Sequence, residues 1–101
     1  MRICRVDANQ KEIVTGLRKL GVSVTPTHMV GDGFVDLVCG WKGQNFLLEV
    51  KDGEKPPSAR KLTPDEVEWH GNWRGKAHIV GSLEHAIEVI KGTKCKAYTP
   101  A

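Results

Sequence analysis

Two apolar runs, FVDLVCGW (residues 34–41) and QNFLLEVKD (residues 44–52), are separated only by Lys42 and Gly43. A two-residue connection ending in glycine closes a β-hairpin, because the positive φ it needs matches the twist of the flanking strands. The hairpin constrains the rest of the fold, since each strand must bury at least one face. Yet Asp36, Glu49 and Lys51 lie inside these runs. An unpaired buried charge is costly, so each one calls for a partner, a cation or a watery cleft.

Side chains alternate faces along a strand, so Glu49 and Lys51 point the same way, as do Phe34, Asp36 and Val38. With the turn near Lys42, Asp36 falls opposite residue 49 to within a residue or two, and cross-strand neighbours lie roughly 5 Å apart. Two carboxylates that close repel unless a cation sits between them. Hard oxygen ligands of this kind suit Mg²⁺, which also keeps several waters. Lys51 beside them would orient or deprotonate a water, or stabilise charge developing on a phosphoryl group. The chemistry implied is metal-assisted attack of water on a phosphodiester. The same spacing allows a plainer reading, with Glu49 and Lys51 on the solvent face of an edge strand and Asp36 a turn residue.

Around the hairpin, residues 8–20 carry Ile13, Val14, Leu17 and Leu20 at helical spacing, with Asp7 as N-cap and Gly21 as stop. VSVT reads as a short strand broken by Pro26, followed by a loop containing Gly31 and Gly33. The segment DGEKPPSARK, residues 52–61, reads as a loop because two successive prolines exclude regular helix. Thr63, Pro64 and Glu66 then form a capping box with proline at the first helical position, and Leu62 and Val67 sit where a hydrophobic staple packs. GNWRG ends that helix, and KAHIVG reads as a buried strand. Ser82 caps a last helix with Leu83, Ala86, Ile87 and Ile90 on one face. Residues 92–101 read as an irregular tail. The order α-β-β-β-α-β-α predicts an α/β fold, a mixed β-sheet flanked by helices. At 101 residues the chain is expected to form a single domain, with its core over about residues 7–91.

The charge balance, 15 Lys and Arg against 12 Asp and Glu, permits a nucleic-acid partner without demanding one. Cys4, Cys39 and Cys95 are odd in number and lack zinc-ligand spacing, so free thiols in a reducing compartment are expected. No stretch has the apolar length of a signal peptide core or a membrane span, which predicts a cytoplasmic protein without membrane contact.

Asp36, followed thirteen residues later by Glu49-Val50-Lys51 on a hairpin after an N-terminal helix, resembles the PD-(D/E)XK nuclease superfamily. The resemblance spans roughly residues 7–90. The LTPDE helix start after the EVK strand is similar to the small VRR-NUC and phage-type junction-cleaving branch. The resemblance implies a restriction-endonuclease-like core and metal-dependent endonuclease cleavage of structured or duplex DNA, in a bacterial or phage-infected cell. It makes Asp36 and Glu49 the metal-binding carboxylates, with Val50 lending its backbone carbonyl and Lys51 the catalytic lysine. The implied cofactor is Mg²⁺, with Mn²⁺ able to substitute, and a homodimer would offer one site to each DNA strand.

Three positions depart from the pattern. Val35 stands where proline is usual, Gln10 where related nucleases carry a helix-one glutamate, and Glu66 where the VRR-NUC branch often has glutamine. Gln10 faces inward with Ile13 and Leu17, either supporting the site or capping the helix, and Glu66 reads as the capping-box residue. The absent glutamate supports a competing reading, a non-catalytic nucleic-acid-binding or assembly module. A small unrelated α/β protein with charged strands is a third reading. Lys55, Arg60 and Lys61 flank the expected site and would neutralise DNA phosphates, or else form an ordinary solvated loop. Trp69, His70 and Trp73 share one helix face, which for the tryptophans suggests packing more than base stacking. His28 and His70 lie within reach of the site but have no motif partner, and His78 and His85 are given no chemistry.

Overall fold

A computed structural model describes residues 8–92 of the chain. The elements are α1 (Ala8–Lys19), β1 (Ser23–Pro26), β2 (Leu37–Trp41), β3 (Gln44–Val50), a 3₁₀ turn (Pro57–Arg60), α2 (Pro64–Asn72), β4 (His78–Val80) and α3 (Leu83–Lys91). β2 and β3 form the expected hairpin, paired antiparallel from Leu37↔Leu48 to Trp41↔Gln44. Lys42 and Gly43 both take positive φ, 50° and 78°, and make the tight turn. β1 pairs antiparallel outside β2, and β4 pairs parallel outside β3. The result is a four-stranded mixed sheet in the order β1-β2-β3-β4. The parallel β3–β4 pair needs a crossover, and the segment carrying α2 supplies it.

One sheet face holds the core. Leu37, Cys39, Leu48, Val50 and Val80 pack there against Ile13 and Leu17 of α1 and Ala86 and Ile90 of α3. α1 approaches α3 closely because Gly16 has no side chain; a Cβ there would run into the methyl groups of Leu83. α2 meets the opposite face at the end of β3, through Glu66 and His70. Its start is fixed by the expected capping box: Thr63 Oγ1 accepts from the Glu66 amide at 3.3 Å, and Glu66 Oε1 accepts from the Thr63 amide at 2.9 Å. Ser82 Oγ likewise accepts from the His85 amide at 3.1 Å to start α3.

Several local expectations are corrected. α1 ends at Lys19, so Leu20 lies beyond it, 41% exposed. Pro26 is the last residue of β1 rather than a break after it, which an edge strand tolerates. Residues 57–60 wind into a 3₁₀ turn within the proline-rich loop. β4 is only partly buried: Val80 is enclosed, but Ile79 is 44% exposed on the uncovered side of an edge strand. Val67, at the staple position, is 56% exposed.

Cys39 is a free, buried thiol, and burial pushes its pKa up to about 11, which leaves it inert. Asp7, Cys4, Cys95 and residues 93–101 lie outside the described residues. Among the described residues no helix is long and apolar enough to cross a membrane.

Candidate functional site

β3 is an interior strand, and Leu48 and Val50 face the α1–α3 core. Alternation therefore turns Glu49 and Lys51 toward the opposite face, where α2 lies. Glu49 is 1% exposed. The reading of Glu49 and Lys51 as the solvent face of an edge strand is thereby overturned.

Asp36 sits one residue before β2, and continuing the observed register places it opposite Glu49. Its backbone is held on both sides: its amide donates to Leu48 O at 3.1 Å, and its carbonyl accepts from the Thr27 amide at 2.7 Å. Val35, fully buried, anchors the approach, and its carbonyl accepts from Thr27 Oγ1 at 2.8 Å. The Asp36 side chain then accepts from the Val50 amide through Oδ2 at 2.8 Å. This cross-strand bond ties the carboxylate to the strand carrying Glu49 and Lys51.

Lys51 Nζ donates to Glu66 Oε1 at 2.9 Å and lies 3.7 Å from Glu49 Oε2. Burial alone would lower the Lys51 pKa, but the hydrogen bond and charge of Glu66, with Glu49 and Asp36, outweigh it and raise it. Burial would likewise raise Glu66, yet its bonds to the Thr63 backbone and to Lys51 bring it below its ordinary value. Glu49 is the strained member. Burial first, then the charge of Asp36 and the nearby carboxyl groups of Glu66 and Asp36, push its pKa up to about 10. Glu49 Oε1 is buried, with no hydrogen-bond partner among the described residues.

The site thus gathers Asp36, Glu49 and Lys51. The Val50 side chain belongs to the core, so only its backbone is available to a ligand. Gln10 is 6% exposed on the α1 face of Ile13 and Leu17, and among the described residues it makes no hydrogen bond to the carboxylates. Its neighbour Asn9 makes the link from α1 instead: Nδ2 donates to Lys51 O at 3.0 Å and approaches Gly81 O at 3.4 Å. Lys55, Arg60 and Lys61 are all exposed, and of the three only Arg60 lines the open cleft of about 860 Å³ that Lys51 also borders.

His70 was not assigned to the site from sequence. Its Nε2 lies 3.7 Å from Glu49 Oε1. Glu66 serves both the cap and Lys51. The available signal was spacing, because residues 66 and 70 are four apart and share one helix face. Trp69 stacks on Trp73 with centroids 4.7 Å apart and meets Phe34 edge-on at 5.4 Å. The pair forms an aromatic cluster outside the main core, with Trp73 43% exposed.

Among the described residues no group of three or more His, Cys, Asp or Glu side chains would hold a metal ion. Asp36 and Glu49 bring two carboxylates opposite each other, oxygen groups of the kind that hard cations take together with waters. Comparison with protein-family models, curated proteins and solved structures finds no match to this chain.

Proposed function

We propose that this protein is a metal-dependent endonuclease of the PD-(D/E)XK type, hydrolysing phosphodiester bonds in structured or duplex DNA. One observation carries the reading: Asp36 and Glu49 oppose each other across the hairpin, with Glu49 buried and Lys51 on the same face. Burial first and the charge of Asp36 second disfavour the ionised Glu49, and a divalent cation would offset both. Asp36 and Glu49 would hold the ion, with the Val50 carbonyl beside them. Bound there, Mg²⁺ or Mn²⁺ would supply Lewis acidity to the phosphoryl oxygens and lower the pKa of an attacking water.

Lys51 has a more specific role than general base. Its contacts hold it charged, so it suits the negative oxygens of the phosphate better than it suits taking a proton. Attack by a water oxygen, which gives up a proton to solvent, forms one P–O bond as the bond to the departing sugar oxygen breaks, and that oxygen acquires a proton from solvent. The open cleft is bordered by Lys51 and Arg60 but by neither Asp36 nor Glu49, so a backbone lying in it would meet Lys51 first. Cutting both strands of a duplex takes two such sites, which a two-fold dimer would supply.

The test is cleavage of labelled duplex, single-stranded, flap and four-way-junction DNA with Mg²⁺ or Mn²⁺. Asp36→Asn and Glu49→Gln should abolish metal-dependent cleavage, and Lys51→Ala should slow it by roughly 100- to 1,000-fold. Equal cleavage by wild type and variants would sink the proposal. Metal-insensitive binding without cleavage would favour a non-catalytic nucleic-acid-binding module, for which the glutamine at position 10 is the motivating residue.

A further inference from the structure

The motif read from the sequence ends at Lys51 and contains no histidine, yet α2 directs one at the site. His70 Nε2 and Glu49 Oε1 are both buried, have no hydrogen-bond partner among the described residues, and face each other at 3.7 Å. That separation exceeds hydrogen-bond range by about half an ångström. The imidazole is not free to wander. The Trp69 ring lies against it at 5.0 Å and 82°, and Trp69 is itself held between Phe34 and Trp73.

One turn earlier on the same helix face, Glu66 takes the Lys51 ammonium at 2.9 Å. α2 therefore addresses both Glu49 of β3 and Lys51 just past its end, one through each turn. Glu49 Oε2 lies on the Lys51 side and Oε1 on the His70 side. The two oxygens are in different surroundings, and only Oε1 faces a ring nitrogen.

We infer that His70 is a positioning residue: its Nε2–H closes onto Glu49 Oε1 and fixes the carboxylate so that Oε2 is presented to the divalent cation. The inference rests on the reading of Asp36 and Glu49 as cation ligands. Partners of this kind, one bond removed from the ion, set the orientation of the ligand that touches it. His70 acts through Glu49 and does not coordinate.

The test is Mn²⁺ binding by the full chain, followed by electron paramagnetic resonance without DNA. His70→Ala should weaken Mn²⁺ binding by roughly 10- to 100-fold. His70→Gln, whose amide N–H can stand where Nε2–H does, should recover most of the loss. Pulsed measurements on the wild type should show no directly bound histidine nitrogen. The inference is overturned if His70→Ala binds Mn²⁺ within about twofold of wild type, if folded His70→Gln is as weak as a site lacking the donor, or if nitrogen coupling reveals direct ligation. Absence of Mn²⁺ binding by the wild type would instead overturn the metal-site reading beneath it.

Discussion

Glu49→Gln is expected to make the metal-free protein more stable, although it should remove activity. Glu49 has a folded pKa of about 10 against an ordinary value of 4.5, because burial and the charge of Asp36 disfavour its ionised form. The native state therefore holds a proton on this carboxyl across that window, where the unfolded chain releases it. The contribution of Glu49 is most favourable below pH 4.5 and is progressively lost as pH rises through the window. Each pH unit within it costs about 1.4 kcal/mol, so near pH 7 the side chain opposes folding by on the order of 3 kcal/mol. Glutamine keeps the shape without the ionisation.

The real gain will be smaller, since the new amide brings a second N–H that needs a partner in a buried site. Urea denaturation with chelator present should show the variant ahead by about 1–3 kcal/mol near pH 7.5, with the gap shrinking toward pH 5. Added Mn²⁺ should reverse the order by stabilising only the wild type. A variant no more stable than wild type at either pH would refute the account of Glu49 as a buried, repelled carboxyl.

Gly33 sits at φ +80°, and a Cβ there would collide with the Asp65 carbonyl at the start of α2. Gly33→Ala should cost more than the roughly 1–2 kcal/mol of left-handed backbone strain, while Gly31→Ala, at φ +84° with open space around it, should cost the strain alone. Paired urea midpoints separate the two. Thr63→Ala removes the N-cap acceptor of α2 and should cost about 1 kcal/mol, or about 4–8 °C in thermal midpoint. The bond that holds Glu66 Oε1 comes from the Thr63 backbone amide and survives the substitution, so Lys51 should stay in place, and a lower midpoint with unchanged cleavage would show it.

Local chemistry made the hairpin and the caps legible. A two-residue Lys42-Gly43 turn fixes register as well as direction, which is why Asp36 and Glu49 could be placed opposite each other from spacing. Thr63 and Ser82 announce helix starts because their hydroxyls satisfy backbone groups only a few residues away. The remainder depends on how elements are rotated against one another. Periodicity places Glu66 and His70 on one face of α2 but does not say that this face meets β3. Asn9 adjoins a more conspicuous buried glutamine, and its bonds to Lys51 O and Gly81 O span the whole fold. Ile79 looked buried because its run is apolar, yet burial on an edge strand depends on what covers that edge, and nothing local encodes it.

The mixed sheet also sets an order of events in time. β2 meets β3 across a two-residue turn, whereas β4 joins β3 only after the chain closes a loop from Leu48 to His78. Loop closure costs entropy, so the hairpin should form early and the parallel pair late. Asp36 and Glu49 then come together before Glu66 and His70 arrive to receive Lys51 and Glu49. During that interval the young hairpin carries its carboxylates open to water, which delays the cost of their burial until the rest of the domain can offset it. Stopped-flow folding of Val38→Ala and Val80→Ala should show the first slowing folding and the second chiefly speeding unfolding. The reverse pattern would mean that the crossover closes first.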